Sequence, residues 1–333
     1  MLSVDRLRVL HAVAVSGSLG GAARALHVTN SAVSQQLTKL EREVGQPLLE
    51  RDGRGVRLTD PAKLLAERTG QILALVRAAE AEAEEHRGAA IGHLVLSAIA
   101  TAARELVPAA LVDLRATCPG LRVELRELEP NDSVPALTHG DVDLALLVDW
   151  EGAQVHLPEG IQRQPLLQDV ADIALPVDHP LAQRDLVHLD ELAHEPWISW
   201  TTGSICDEWL SRVLQQRSTE PLIAHAVEEH QTKLALISAG LGTAVIPRLG
   251  RGPVPEGVRM VAVQPALVRQ VYVCWRTDSE RRPAVRATVA ALHTAAQRYQ
   301  YSPDTVDQPT TDAAETDPTL TGRPAAPRGS PSD

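Results

Sequence analysis

Apolar positions recur at two different periods along this chain, and the change of period divides it. Over the first stretch the spacing is helical: Ala22, Ala23 and Leu26 form one face within 19–27, and Val33, Leu37 and Leu40 form another within 31–44. The two faces meet only if the chain turns sharply between them. His27 is expected there with positive φ, a conformation histidine tolerates better than a branched residue does. Asn30 is expected to cap the second helix with its side-chain oxygen, and Ser31 continues the polar start. The result is a helix-turn-helix whose second helix turns Asn30, Ser31, Ser34 and Gln35 outward, short or amide side chains suited to base edges or phosphates in a major groove.

The stretch VGQPLLERDGRGVRLTD follows, with a break at Gly45 to Pro47, a short apolar run, a turn at Asp52 and Gly53, and a strand over 56–59. It predicts a hairpin wing carrying Arg51, Arg54 and Arg57 toward a phosphate backbone or an adjacent minor groove. Next, Ala62, Leu65, Thr69, Ile72, Val76, Ala79 and Ala83 alternate spacings of three and four on one long helix, begun at Pro61 and ended at Gly88. Two readings fit this seam. One packs the helix on its own domain; the other, which is favoured here, makes it a dimerising connector.

Beyond Gly88 the period shortens. HLVLSAI, LRVELREL, VDLALLV, ADIALP, PWISW, AHAVE and GTAVIP read as strands, with helices interposed near 104–116, 134–138, 207–216 and 231–239. Such alternation predicts parallel sheets covered by helices, in two groups, with QVYVCW at 270–275 returning to the first. From 302 to the end, Pro, Thr and Asp dominate with few large apolar residues, a composition that does not offset the entropy of ordering and predicts a disordered acidic tail.

Composition changes this picture in three places. At 333 residues two or three domains are expected. The formal charge of −11 argues against a nucleic-acid partner if taken as uniform, but the first 57 residues hold eight Lys or Arg against five Asp or Glu. The three cysteines, Cys118, Cys206 and Cys274, are scattered too widely for a disulfide framework or a zinc site, and a reducing cytoplasm is the expected home. The N-terminus lacks the uninterrupted apolar run of a signal peptide, and no stretch approaches the roughly 20 apolar residues of a membrane-spanning helix. Phenylalanine is absent, and lysine stands only at 39, 63 and 233.

The first 60 residues, LRVLHAVAVSGSLGGAARALHVTNSAVSQQLTKLEREVGQPLLERDGRGVRLTD within them, resemble the LysR-type transcriptional regulators. The resemblance continues more loosely through PGLRVELRE, GDVDLAL, HPLA and SAGLGTAVIP, leaving out only the tail. It implies an α/β protein overall: an α-rich winged helix-turn-helix over 1–60, a linker helix that dimerises over 61–88, and a two-lobed effector domain over 89–301 similar to type 2 periplasmic binding proteins. Lobe I is expected near 89–168 and 269–301, and lobe II near 169–268. Such proteins bind interrupted inverted repeats in double-stranded DNA near promoters, as dimers or tetramers, and respond to a small molecule between the lobes. Asn30, Ser31, Ser34 and Gln35 match the family's base-contacting positions, and Arg54 matches its wing. The chain departs from the pattern at Asn30, where glutamine is common, at Gln35, where arginine is frequent, and at Gly20, where a hydroxyl usually faces a phosphate, leaving Ser18 to serve.

On a fold of this kind ligands sit at strand ends near helix N-termini, which favour anions. Thr101, before a helix expected near Arg104, is the first candidate, followed by Thr201, Thr202 and Ser204 in TTGS and by Gln231 and Thr232 after His230. Each hydroxyl equally suits an ordinary helix cap. Cys206 near a helix start admits a redox role through a lowered pKa, but with no second cysteine nearby to resolve a sulfenate a buried structural thiol is the favoured reading. The competing function is a solute-binding or enzymatic protein on the same scaffold. Against it stand the missing leader and the absence of a Walker loop, GxSxG, HExxH or a ligand spacing among His179, His188 and His194, so neither enzyme activity, metal nor cofactor is expected.

Overall fold

The computed structural model describes residues 2–26, 28–52, 55–216 and 222–300. Arg54, the positive φ expected at His27 and the acidic tail lie outside them. The amino-terminal unit packs α1 (Val4–Ser16), α2 (Leu19–Ala25) and α3 (Asn30–Val44) around Leu7, Leu10, Ala22, Val33, Leu37 and Leu40. The cap of α3 is Thr29 and not Asn30: its Oγ1 accepts the Ala32 N–H at 3.2 Å from an extended backbone, φ −81° and ψ 154°. Both residue types cap well, and the choice falls on the last residue before the helical dihedrals begin. Asn30 is thereby released to the exposed side. Glu41 Oε1 accepts the N–H groups of Leu48 and Leu49 at 2.9 and 3.2 Å, tying the next loop back to α3. A hairpin follows, β1 (Leu49–Asp52) antiparallel to β2 (Gly55–Leu58), with Glu50 opposite Arg57 and ion-paired to it at 3.1 Å.

The long helix α4 (Asp60–Arg87) starts on Thr59, whose Oγ1 accepts the Ala62 N–H at 3.3 Å, and ends at Gly88 with φ 67°. Its seam divides between the two readings. Ala62 and Thr69 are fully buried, and Leu65 and Ile72 pack on the helix-turn-helix core, so the first half of that face is internal to one chain. Apolar residues at spacings of three and four look the same whether they meet a second copy or their own domain. Further along, Ala79 and Ala83 of the same seam are exposed, and beside it Leu64 and Leu75, eleven residues apart, are 59% and 72% exposed.

The remainder is two α/β lobes. In lobe I, β3 (Gly92–Ala98) lies parallel to β4 (Leu121–Glu127) and to β5 (Leu144–Trp150), with α5 (Ala100–Thr117) and α6 (Pro130–His139) between them. Two long strands then run through both lobes: β6 (Ile161–Pro176) and β12 (Leu267–Arg276), paired antiparallel. The main sheet runs β4-β3-β5-β12-β6-β11-β7, with β10 also on β6, where β7 is Leu186–His188, β10 Ala244–Pro247 and β11 Val258–Gln264. Lobe II adds the parallel pair β8 (Pro196–Ser199) and β9 (Leu222–Ala226), with α7 (Ile205–Gln215) and α8 (His230–Ser238). The last helix, α9 (Pro283–Gln300), packs on α5 over the lobe I core.

The sheets are therefore mixed, not purely parallel, because β12 is antiparallel to both β5 and β6, and β10 and β11 are antiparallel to β6. QVYVCW does return to the first sheet, opposite Leu144 to Asp149. Helix α5 begins at Ala100, four residues earlier than expected, which moves Thr101 from a strand end into the first turn of the helix. No described helix is long and apolar enough to cross a membrane.

The lobes touch behind the crossing strands. Leu249, just past β10, is buried in the lobe I core, and the next residue, Gly250, has φ +62°. A Cβ on Gly250 would lie 2.3 Å from the Thr101 carbonyl oxygen, a backbone atom with little room to retreat. Gly250→Ala combines a left-handed non-glycine residue with that clash. We expect it to lower effector-domain stability by about 1–3 kcal/mol, read as a drop of several degrees in a thermal melt; an unchanged melt would show that the lobes do not meet at this point.

Candidate DNA interface and interlobe crevice

Helix α3 buries Val33, Leu37 and Leu40 completely, and its opposite side is open. Ser31 and Gln35 are exposed there, together with Thr38, Lys39 and Arg42, which extend the same stripe by a further two turns. The sequence reading stopped at Gln35 and missed the two cations, although their spacing of four and seven from Gln35 carried the signal. Asn30 is exposed at the helix start, and Ser34 is half-buried at the edge of the stripe. The Ser31 hydroxyl lies 3.0 Å from that of Thr29. Ser18 is exposed, and its Oγ accepts the Gly21 N–H at 3.0 Å as the cap of α2, which leaves its hydroxyl proton free to donate. Arg51 occupies β1 opposite Val56. Helix N-termini, hydroxyls and trailing cations on one convex face make up the donor set that a phosphate backbone and major-groove edges accept.

The second candidate lies between the lobes. It is lined by Ile99, Ala100 and Thr101 from lobe I, Glu129 and Val148 beside them, Trp200, Cys206, Glu228 and His230 from lobe II, and Arg269 from the crossing strand. In this closed arrangement it encloses about 20 Å³. That is room for about one water. Asn131 Nδ2 donates to the Gly203 carbonyl at 3.1 Å across the mouth. Arg269 is committed: its Nε donates to Asp169 Oδ2 at 2.8 Å and its Nη2 to Thr101 Oγ1 at 3.0 Å. Thr101 thus reaches the crevice, buried and already holding a partner.

The other expected contacts are differently placed. Thr201 and Thr202 are exposed at the mouth, where the Thr201 N–H donates to Glu228 Oε1 at 2.8 Å. Ser204 caps α7, accepting the Asp207 N–H at 3.2 Å. Gln231 and Thr232 are held by Glu229, the cap of α8, whose carboxylate accepts both of their N–H groups and the Thr232 hydroxyl. Glu229 itself is lowered in pKa; burial opposes the shift, and those hydrogen bonds outweigh it.

What sequence reasoning missed is the interior of the crevice wall. Lys233, on α8, is fully buried and its Nζ has no hydrogen-bond partner; it lies 3.6 Å from the centroid of the Trp200 ring. A cation on an indole face gains something, but less than water supplies. Burial accordingly pushes the Lys233 pKa down to about 7, against the pull of Cys206, Glu228, Glu129 and Asp207. His230 is buried with both ring nitrogens unpartnered, and burial followed by the charge of Lys233 pushes it down to about 3. Glu129 is pushed the other way, up to about 7, by burial and then by Glu228 and Glu127. Three perturbed groups at one crevice make it a stronger candidate site than a row of capping hydroxyls does.

Cys206 belongs to the same wall and is not a thiolate. Burial pushes it up to about 11, although Trp150 Nε1 donates to its sulfur at 3.3 Å. Trp150 in turn stacks on Trp209 at 3.9 Å. Among the histidines weighed for metal, His179 pairs with Glu195 at 3.2 Å and His188 precedes the short 3₁₀ turn at Leu189–Leu192. No three metal-ligating side chains converge among the described residues.

Comparison with known proteins agrees with both halves. Residues 4–63 match the family described as bacterial regulatory helix-turn-helix protein, lysR family, and residues 87–297 match the LysR substrate binding domain. The chain is 31% identical to the small neutral protease regulatory protein of Streptomyces coelicolor over 287 residues, covering 84% of this chain and 83% of that one. It is 29% identical to the uncharacterized HTH-type transcriptional regulator YnfL of Escherichia coli over 290 residues, 86% of this chain and 96% of that one. Among solved structures, a full-length OxyR variant from Pseudomonas aeruginosa superposes with a TM-score of 0.59 at 20% identity, over 88% of this chain and 98% of that one. The chain belongs to the LysR family of DNA-binding transcriptional regulators, which join a helix-turn-helix to an effector-binding domain.

Proposed function

We propose that this regulator lays α3 in the major groove of an interrupted inverted repeat, near a promoter and in the cytoplasm, with Asn30, Ser31, Ser34 and Gln35 toward base edges. Ser18, Arg51 and Arg54 take the flanking phosphates or minor groove, and Lys39 and Arg42 extend the phosphate contacts along the helix. The observation that carries this reading is the two-sided character of α3, fully buried at Val33, Leu37 and Leu40 and open along the polar, cationic stripe opposite. An overall charge of −11 does not oppose it, since the excess of cations is local to this end. The protein performs no catalysis in this reading. It responds instead to a small molecule held between the lobes at Lys233, His230, Glu129 and Trp200, with Thr101 acting through Arg269 and with Thr201, Thr202, Ser204, Gln231 and Thr232 shaping the mouth.

A second copy completes the DNA reader, because an inverted repeat presents two half-sites. The surface offered to it is the open face of α4, where Leu64 and Leu75 are the large apolar residues left in water. The chain works as a dimer or tetramer joined along that face.

Binding to fragments of the DNA upstream of its own gene tests the first reading. Retention should fall steeply with salt, Arg42→Ala should weaken all sequences alike, and Gln35→Ala should cost about 1–3 kcal/mol on the preferred site while relaxing discrimination at one position. Failure to retain any genomic fragment at low salt removes the regulator reading in favour of a solute-binding protein. For the assembly, Leu75→Glu should shift the sedimentation of the intact protein toward the monomer; an unaltered oligomer places the interface elsewhere.

The buried amine of Lys233 has a stability signature. Between pH 7 and 10.5 the unfolded chain keeps the Lys233 proton that the folded chain has released, so stability rises with pH through that window. Lys233→Met removes the buried amine, and we expect it to be more stable than the parent by about 1–4 kcal/mol at neutral pH. That advantage should shrink by about 1 kcal/mol for each pH unit above 7. Denaturant unfolding at pH 7 and pH 9 measures both, and a destabilised variant would mean that the ammonium has a partner in solution.

A further inference from the structure

Two groups of opposite sign lie at one crevice, each without a partner: Glu129 on its lining, and Lys233 directly behind the Trp200 ring that lines it. Lys233 comes from α8 in lobe II, fully buried, with no hydrogen bond to its ammonium. Glu129 comes from lobe I, immediately before α6, and its side chain neither caps that helix nor enters any hydrogen bond or ion pair among the described residues. They do not pair with each other. The remaining charges nearby are already answered: Arg269 by Asp169, Glu228 by the Thr201 N–H, and Asp207 by the Ser199 hydroxyl, which donates to it at 2.7 Å. What is left over is one cation on one lobe and one acid on the other.

The signs decide between classes of ligand. A simple anion would satisfy Lys233 but lie against Glu129 and Glu228, and a simple cation would satisfy Glu129 but lie against Lys233 and Arg269. A neutral molecule would give neither Lys233 nor Glu129 a charged partner. A molecule carrying both signs a few ångströms apart answers both groups, leaves the net charge of the crevice unaltered and links lobe I to lobe II. About 20 Å³ is open with the lobes as they stand, less than any amino acid occupies, so binding requires them to part. The Trp200 ring and Val148 offer an apolar wall for a short side chain.

We propose that the effector is a small zwitterion of the α-amino acid class, its carboxylate received by Lys233 and its ammonium by Glu129. This rests on the crevice being the effector site. His230, whose ring nitrogens are buried and unpartnered, supplies one donor and one acceptor beside them without adding charge.

The test uses the intact protein, with tryptophan fluorescence and titration calorimetry as readouts and each of the common L-amino acids as a separate probe. At least one should bind saturably. Its decarboxylated amine and its deaminated acid should each bind more weakly by about 10- to 100-fold, as should the parent amino acid to Lys233→Met and to Glu129→Gln. Thermal melts of both variants establish that they are folded; the first removes a buried charge and the second keeps the shape of the side chain. The proposal falls if none of the amino acids binds at millimolar concentration, or if the acid or amine alone binds as tightly as the parent. Where a singly charged compound binds and Lys233→Met abolishes it, the crevice stands as the effector site and the zwitterion does not. Where the tightest amino acid binds the parent and both variants alike, the crevice reading falls with it.

Discussion

The effector domain turns on a buried ion pair between the two strands that its lobes share. Asp169 on β6 and Arg269 on β12 approach to 2.7 Å at positions 0% and 4% exposed. Each then reaches beyond its own strand: Asp169 Oδ1 accepts the Leu249 N–H at 3.0 Å, and Arg269 donates to the Thr101 hydroxyl. Four segments are thereby tied at the one place where the chain passes between lobes. A pair this deeply desolvated adds little net stability over a well-packed apolar substitute, but losing either member strands a charge and costs several times more. Its value is positional. It sets the register of the crossing strands and orients the first turn of α5 toward the crevice.

Against that fixed point the rest of the crevice is unbalanced. Lys233, His230 and Glu129 carry perturbed pKa values because folding removes their water and supplies no partner. A domain folding for stability alone would place methionine or leucine at 233, as it places Leu234 and Ile237 on the same helix in the lobe II core. Polar groups left unsatisfied inside a protein are retained where a ligand satisfies them, and the stability forgone in the free form is recovered on binding.

How much of this could be read from the sequence depended on how local the signal was. Caps and short periods gave the helix pair, the hairpin and the ends of α4, because Thr59, Pro61 and Gly88 act within a few residues of where they stand. The capping oxygen slipped by one residue, since Thr29 and Asn30 are adjacent good caps and only the dihedrals separate them. The first half of β6, IQRQPLLQDV, was not legible as a strand: most of its side chains up to Pro165 are exposed, so it has no apolar alternation to show. The face of α4 was legible as apolar but not as to its partner, because alanines and leucines at that spacing serve α1 as well as a second copy. The crevice was least legible. Lys233, Glu129 and Trp200 lie on three separate elements, and a lysine in the first turn of an expected helix looks like a solvated one until the fold closes over it.

The same non-local logic governs how lobe I is joined to the DNA-binding end. Arg282, just before α9, pairs with Glu84 near the end of α4 at 2.9 Å and also with Asp143, whose other oxygen accepts the Val95 N–H on β3 at 2.8 Å. Arg276, the last residue of β12, reaches the same Asp143 at 3.7 Å and donates to the carbonyls of Leu137 and Val142. The end of the linker helix is thus clamped to the central strands of lobe I, while no comparable set of contacts joins it to lobe II among the described residues. His11 of α1 meets His139 of α6 edge to face at 5.7 Å, so the helix-turn-helix also rests on lobe I. Motion of lobe II about the Asp169–Arg269 crossing can proceed without breaking these contacts. On the proposed reading, a ligand held between the lobes bears on lobe II relative to a unit made of lobe I, α4 and the DNA reader, and its consequence for DNA passes through what lobe II touches in a neighbouring copy. Regulation in such a molecule is a property of the assembly, because within one chain the moving part and the reading part are joined to opposite sides of the same hinge.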